Sequence, residues 1–220
     1  MAQNKGIVSD KLHIVDATAV QGKVDLYRIK EKYKDQDPDT YIDKHSPDPD
    51  ARPGRKHKGK RFFGYKAHCL MDAESEIIVN ADASRGNEHE RTTLIYLSEP
   101  TSQPRALAAD KGYDTGENHD YLSRRRIRNG IMLRSNHTTK YIRHHITRVS
   151  RVAKRYRCVI EHKFAELKQR HGLRTARYRG LTKMRIQLYM VAMCANMKRM
   201  VKLSYSNLPP PIIRFRSVPG

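Results

Sequence analysis

The chain has 220 residues, with 44 Lys and Arg against 23 Asp and Glu, a formal charge of +21. That length makes one domain or one and a half, and a positive excess of that size calls for a polyanion, of which nucleic acid is the commonest, although structural RNA binders share it. No apolar run approaches the roughly 20 residues of a membrane span, the start M-A-Q-N-K-G-I-V-S-D has no signal-peptide core, and Cys69, Cys158 and Cys194 read as reduced thiols of a cytosolic protein rather than zinc ligands.

Leu12 to Thr18, L-H-I-V-D-A-T, alternates as a strand, with Leu12, Ile14, Asp16 and Thr18 on one face. Asp is disfavoured in strands and in cores. Asp16 is therefore either the turn that ends a shorter strand or a functional carboxylate. No period holds from Gln21 to Lys60. Four prolines and two glycines in the second part of that stretch predict a surface insertion without regular structure. Its basic segment Arg52–Arg61, with Arg55, Lys56, Lys58 and Lys60, is either a phosphate contact or a solvated charge run.

Arg61–Met71 and Ser75–Ala83 read as two strands joined by a hairpin turn. Asn87 is the expected cap of a helix reaching about Leu97, with Glu90 at the capping-box position. Arg105–Asp110, R-A-L-A-A-D, is short and rich in small residues, as a strand buried on both faces is. Lys111-Gly112 then makes a turn, and Asp114 or Thr115 caps a helix to about Arg125. Asn129–Leu133 is a fifth strand. Arg134–Ser150 reads as a basic loop. Its His137, His144 and His145 have no cysteine near them and predict no zinc site.

Arg151 onward has no Pro or Gly before Gly172, so it predicts one long helix. At about 100° per residue from Arg157, Glu161 falls near 40°, Phe164 near −20° and Lys168 near 20°. One carboxylate and two cations thus sit on or beside the apolar face. They form either an ion-pair ladder on a solvated helix or a catalytic glutamate flanked by phosphate-binding cations. Leu173–Gly180 follows, carrying Arg174, Arg177 and Arg179. A helix from about Thr182 to Leu203 comes next, whose many methionines fit ordinary core filling. Residues 206–220, ending P-P-P-I-I-R-F-R-S-V-P-G, read as an extended tail on a catalytic domain of residues 1–205.

The first three strands can form an antiparallel meander, and the later two can join it through helical crossovers. Neighbouring first and fourth strands would bring Asp16 and Asp110 together, and Glu161 on a covering helix would complete a three-carboxylate site. Three hard oxygen donors suit a pair of Mg²⁺ ions, which activate a nucleophile and stabilise the leaving oxygen in phosphodiester chemistry.

Four separated motifs carry a resemblance over about Val8 to Leu203: I-V-D-A-T at Asp16, F-F-G-Y-K-A-H, A-D-K-G-Y-D at Asp110, and V-I-E-H-K-F-A-E-L-K followed by R-Y-R-G. In this order they resemble the bacterial insertion-sequence transposases with an RNase H-like DDE catalytic domain. The helix signature of that family runs Tyr, two residues, Arg, three residues, Glu, six residues, Lys. Arg157, Glu161 and Lys168 match it, while Lys154 stands at the Tyr position and Tyr156 lies two residues on.

The resemblance implies an α/β fold with an RNase H-like mixed five-stranded sheet flanked by helices. It implies hydrolysis at a transposon end, followed by attack of the freed 3′-OH on target DNA. Asp16, Asp110 and Glu161 would hold two Mg²⁺ ions, with Mn²⁺ able to substitute. Arg157 and Lys168 would bind phosphate, joined at the site by Lys111 and Tyr113. The expected setting is the bacterial cytoplasm, at the nucleoid. A nuclease of the same fold, or a decayed non-catalytic DNA-binding protein, would share these features. The fifteen residues before Asp16 are too few for a domain, and such transposases usually carry a separate end-recognition region. The chain is therefore expected to bind DNA with little sequence preference and to need an N-terminal partner polypeptide. A second copy of the chain is a further candidate partner.

Overall fold

Strand β1 (His13–Gln21) lies inside the sheet and carries the rest. The computed structural model describes residues 7–25, 27, 29, 45–55, 61–134 and 146–206, with the backbone alone for 146–156 and 206. Along its whole length β1 pairs antiparallel with β3 (Arg61–Asp72), from His13 opposite Asp72 to Gln21 opposite Gly64. On its other side it runs parallel to β5 (Ala106–Ala109). β6 (Arg128–Ile131) extends the parallel side, and β4 (Ile78–Arg85) pairs antiparallel with β3. The antiparallel meander and the pairing of the first and fourth expected strands both form.

A sixth strand corrects the expected five. β2 (Arg52–Arg55) pairs antiparallel with Arg61–Phe63 and Gly64 of β3, inside the stretch read as irregular. Pro53 is tolerated because β2 is an edge strand, where a missing N–H costs no ladder bond. Gly64 accounts for the glycine of F-F-G-Y-K. Its φ is +152°, and a Cβ there would stand 2.2 Å from the Val20 carbonyl oxygen.

The insertion is also more than a surface loop. Asp48 is fully buried, and its Oδ1 accepts from the amides of Asp50, Ala51 and Gly180 (3.2 Å each) and from the Tyr65 hydroxyl (2.6 Å). Burial and the adjoining carboxylate push the Tyr65 phenol above its usual range. Asp50 accepts from the Leu181 amide at 2.9 Å and pairs with Arg85 at 2.7 Å. Two aspartates distant in sequence thus cap the last helix. Residues 56–60, including Lys56, Lys58 and Lys60, lie outside the described residues, as do the loop histidines 137, 144 and 145 and the tail beyond residue 206.

Helices cover both faces of the sheet. α1 (Thr93–Ser98) and α2 (Gly116–Arg124) lie on one, where Leu94, Leu97 and Leu122 share a core with Val15, Leu107 and Ala109. α3 (Ile146–Arg170) and α4 (Leu181–Ser206) lie on the other, where Ile160, Phe164, Leu167, Met184 and Leu188 share a core with Ile14 and Ala108. The alanines of β5 let both layers approach closely. This sandwich is the expected RNase H-like arrangement.

Thr115 caps α2, as expected, by accepting from the Asn118 amide. The Asn87 cap does not form. A 3-10 turn, Glu90–Thr92, precedes α1, and the Glu90 carboxylate turns to Lys66 at 3.2 Å instead of closing a capping box. α4 also departs from a simply packed helix. Ile186, Met190, Met193, Met197 and Val201 recur at helical spacing and are about half exposed, opposite the buried face of Met184, Leu188 and Ala195.

Candidate active site

Asp16 is the fourth residue of β1, and Asp110 follows β5 directly. Because Val15 aligns with Ala109, the two aspartates occupy the next level of the same parallel pair. There β5 ends and β1 continues, opening a cleft of the kind that receives ligands at the carboxyl ends of parallel strands. The cleft is lined by Ile14, Asp16, Asp110, Met132, Arg157 and Ile160, among others. Asp110 Oδ1 accepts from the Gly112 amide at 2.5 Å and so caps the 3-10 turn Lys111–Tyr113.

Asp16 has few compensating contacts. Its Oδ1 accepts from the Ala17 amide at 2.8 Å. Burial pushes its pKa up to about 7, and the charges of Asp110 and Glu90 add to that rise, while the Ala17 amide and Arg157 oppose it. A desolvated carboxylate beside two others lacks positive charge. Hard oxygen donors short of positive charge fit a divalent cation.

The raised pKa gives a test without DNA. The folded protein holds the Asp16 proton more tightly than the unfolded chain does. Wild-type stability relative to Asp16→Asn therefore falls as pH climbs from about 4 to about 7, then levels off. The expected gain for Asp16→Asn at pH 8 is on the order of 4 kcal/mol without metal. Saturating divalent cation should remove it. His13 and His68, whose pKa values burial lowers, titrate alike in both proteins and cancel. Equal denaturation midpoints for the two proteins across that pH range would refute the desolvated site.

Helix α3 packs on β1, β5 and β6 and carries the third expected carboxylate, Glu161, which is not itself among the residues lining the cleft. Its inward face is Ile160, Lys163, Phe164 and Leu167, so Glu161 and Arg157 stand to one side, both about half exposed. Arg157 Nε donates to Glu161 Oε1 at 2.9 Å, an i,i+4 pair. Arg157 thus lines the aspartate cleft and holds Glu161 beside it. Among the described residues no three acidic, His or Cys groups converge tightly enough to ligate one ion. Lys168 donates to the Thr18 hydroxyl, two residues beyond Asp16 on the same face of β1. The buried cation is another, Lys163, paired with Glu166 at 2.8 Å and Glu76 at 3.8 Å.

The other expected residues separate. Lys111 is exposed at the start of the turn after Asp110. Tyr113 is fully buried in the core beneath α1 and α2, so it offers no surface to DNA, and the expectation of a contact there is corrected. Its phenol is raised well above its usual pKa, chiefly by burial and then by Asp16 and Glu90, which places it behind the carboxylates. Arg55 ends the edge strand β2, opposite Arg61 and outside the cleft lining.

Glu90 escaped the sequence reading, because a capping box already explained it. A Cβ on Gly112 would sit 2.9 Å from Asp110 Oδ1 and 3.2 Å from Glu90 Oε2, so both carboxylates converge on that glycine. The only sequence signal was Lys66, its partner, inside F-F-G-Y-K-A-H. Asp114, the second aspartate of A-D-K-G-Y-D, is buried. It joins His119 at 2.8 Å to the Arg134 amide at 2.7 Å, tying the turn after Asp110 to the exit of β6.

Sheet order and the level of the two aspartates place the chain among RNase H-like proteins. It belongs to the DDE transposase family, whose members carry out divalent-metal-dependent DNA cleavage and strand transfer: residues 10–197 match the family described as transposase DDE domain. It is similar to the transposase for insertion sequence element IS1106 of Neisseria meningitidis serogroup B, with 30% identity over 195 residues, 88% of this chain and 67% of that protein. Among the described residues no helix is long and apolar enough to cross a membrane.

Proposed function

We propose that Asp16, Asp110 and Glu161 are the catalytic, metal-holding carboxylates of this DNA transposase, and that two Mg²⁺ ions, replaceable by Mn²⁺, are the native cofactor. The observation that carries this reading is the Val15–Ala109 register, which sets Asp16 and Asp110 at one level in a cleft shared with Arg157. Bound divalent ions would supply Lewis acidity to phosphodiester hydrolysis and strand transfer. Asp16 and Asp110 contribute oxygen donors from a rigid strand pair. Glu161, now in an exposed pair with Arg157, would be the third donor, leaving Arg157 to another anion. Arg157, so released, and Lys168 bind backbone phosphate and fix the strand in the cleft. Lys111 and the basic residues near Arg55 add sequence-independent attraction.

The catalytic domain spans residues 1–205, and the protein works on bacterial DNA in the cytoplasm. Partners for end recognition are a second copy of the chain or a separate N-terminal polypeptide.

A strand-transfer assay tests the function. DNA with a pre-cut 3′-OH end and Mg²⁺ should yield joined product, and chelation should abolish it. Cutting without joining would identify a nuclease. Binding should weaken steeply between about 50 and 200 mM salt, as several neutralised phosphates require. Arg157→Ala and Lys168→Ala should lower joining roughly a hundredfold, about 2.7 kcal/mol, while changing bulk DNA affinity only about threefold. A flat salt dependence would remove the electrostatic argument.

A further inference from the structure

Between α3 and α4 the chain makes a ten-residue turn whose backbone is held on three sides. Gln21, the last residue of β1, donates to the Arg174 carbonyl at 3.1 Å and accepts from the Ala176 amide at 2.7 Å. Gln187 of α4 accepts from the Arg177 amide at 2.8 Å and donates to the Gly172 and Thr175 carbonyls at 3.1 Å each. Asp48 and Asp50 take the amides of Gly180 and Leu181. Leu173 and Ala176 are buried, so the loop is anchored in the core as well.

From this fixed frame Arg174, Arg177 and Arg179 are exposed beside Tyr178, which is 60% exposed, with the Arg177 guanidinium lying over Gly172. None of the three guanidinium groups makes an ion pair with a described residue. Lys23, Arg174, Arg177 and Tyr178 line an open depression of about 610 Å³, and no carboxylate lines it. Unpaired cations on a rigid loop with one exposed aromatic suit a nucleic-acid strand, whose phosphates take the charges and whose sugars or bases pack on the ring.

The loop also lies in line with the cleft. Arg157 is at the level of Asp16, Lys168 reaches Thr18, and Thr175 bridges Gln21, so the chain from α3 into the loop crosses the sheet toward the end of β1. Five strand residues separate Asp16 from Gln21, about 17 Å at roughly 3.3 Å each. That is the axial length of about five base pairs.

We propose that the loop Arg174–Arg179, with Lys23, is a backbone clamp that grips DNA about five base pairs from the phosphodiester held at Asp16 and Asp110. The position of the clamp rests on the catalytic reading above; its existence as a DNA site does not.

The test is binding of the full chain to a random-sequence duplex of about 30 base pairs with a recessed 3′-OH end. It is read with wild type, with the triple variant Arg174→Gln/Arg177→Gln/Arg179→Gln, and with a charge-matched control, Arg124→Gln/Arg126→Gln/Arg128→Gln, at the end of α2, in the turn after it and at the start of β6. The loop variant should bind tenfold or more weakly at about 150 mM salt, with a salt slope lower by about three. The control should stay within about twofold. Phosphate-ethylation interference about five nucleotides from the 3′-OH should appear with wild type and vanish with the loop variant. Equal losses in both triple variants would mean bulk charge alone and overturn the clamp, as would an unchanged loop variant. Loss without interference at that spacing would overturn its position. Binding is repeated in the Asp110→Asn protein, so a failed catalytic assignment leaves the affinity result readable.

Discussion

Asp16→Asn, Asp110→Asn and Glu161→Gln should each lower cleavage of element-end DNA by roughly a thousandfold or more, about 4 kcal/mol of transition-state stabilisation. DNA affinity should stay within about threefold. Each substitution keeps shape and removes an anionic oxygen donor, so it acts on metal and not on packing. Removing a negative charge from a chain of net charge +21 gives no reason for weaker DNA binding. Asp16→Asn should also be the more stable protein without metal, because Asp16 is desolvated beside Asp110 and Glu90. Activity lost together with stability gained is the signature of a strained functional group. An Asp16→Asn protein that unfolds more readily than wild type at pH 8, or that still cuts at near-normal rate, would sink the assignment. Glu161→Gln tests the helix separately, since its carboxylate is half exposed and paired with Arg157 rather than desolvated in the cleft.

Asp48→Ala should cost the largest stability of any single change outside the apolar core, about 3–5 kcal/mol. One oxygen of this buried carboxylate accepts four hydrogen bonds, from three amides and the Tyr65 hydroxyl. Alanine leaves the Asp50 and Ala51 amides and the Tyr65 hydroxyl without this acceptor, while the Gly180 amide keeps the Tyr65 oxygen at 3.1 Å, and each buried unmet group costs about 1–3 kcal/mol. For a chain of this size the melting temperature should fall by roughly 10 °C. Tyr65→Phe should cost much less, about 1–2 kcal/mol, because only the hydroxyl is removed. If Asp48→Ala melts within about 2 °C of wild type, the insertion is not the structural tie described above.

What the sequence made legible follows from how local each signal is. Asp16 and Asp110 could be placed because alternation and small residues mark strands, and a parallel neighbour for the first strand is one of few sound topologies. The Arg157–Glu161 pair is fixed by helical periodicity alone. The role of Asp48 was hidden, because its donors come from Tyr65 and Gly180, distant in sequence, and the prolines around it spoke of irregular structure. Glu90 was hidden for another reason: its local pattern had a sufficient local explanation, and only the fold brings it to Gly112. Tyr113 was misplaced because three residues of turn after Asp110 are enough to swing a side chain from the cleft into the opposite core.

The parallel pairing of β1 with β5 also sets a clock on the ribosome. Asp16 emerges early, but its level in the cleft is defined only when Ala106–Ala109 and Asp110 have followed, and Glu161 arrives later still. At roughly 5–20 residues per second, the wait between the two aspartates is on the order of ten seconds. The early product is the β1–β3–β4 meander, which holds one of the three carboxylates. Residues 1–110 carry 18 Lys and Arg against 18 Asp and Glu, so a chain that stops there lacks both the excess of cations and the full set of proposed carboxylates. Interrupted synthesis then yields fragments with neither the charge that draws DNA nor the groups proposed to cut it.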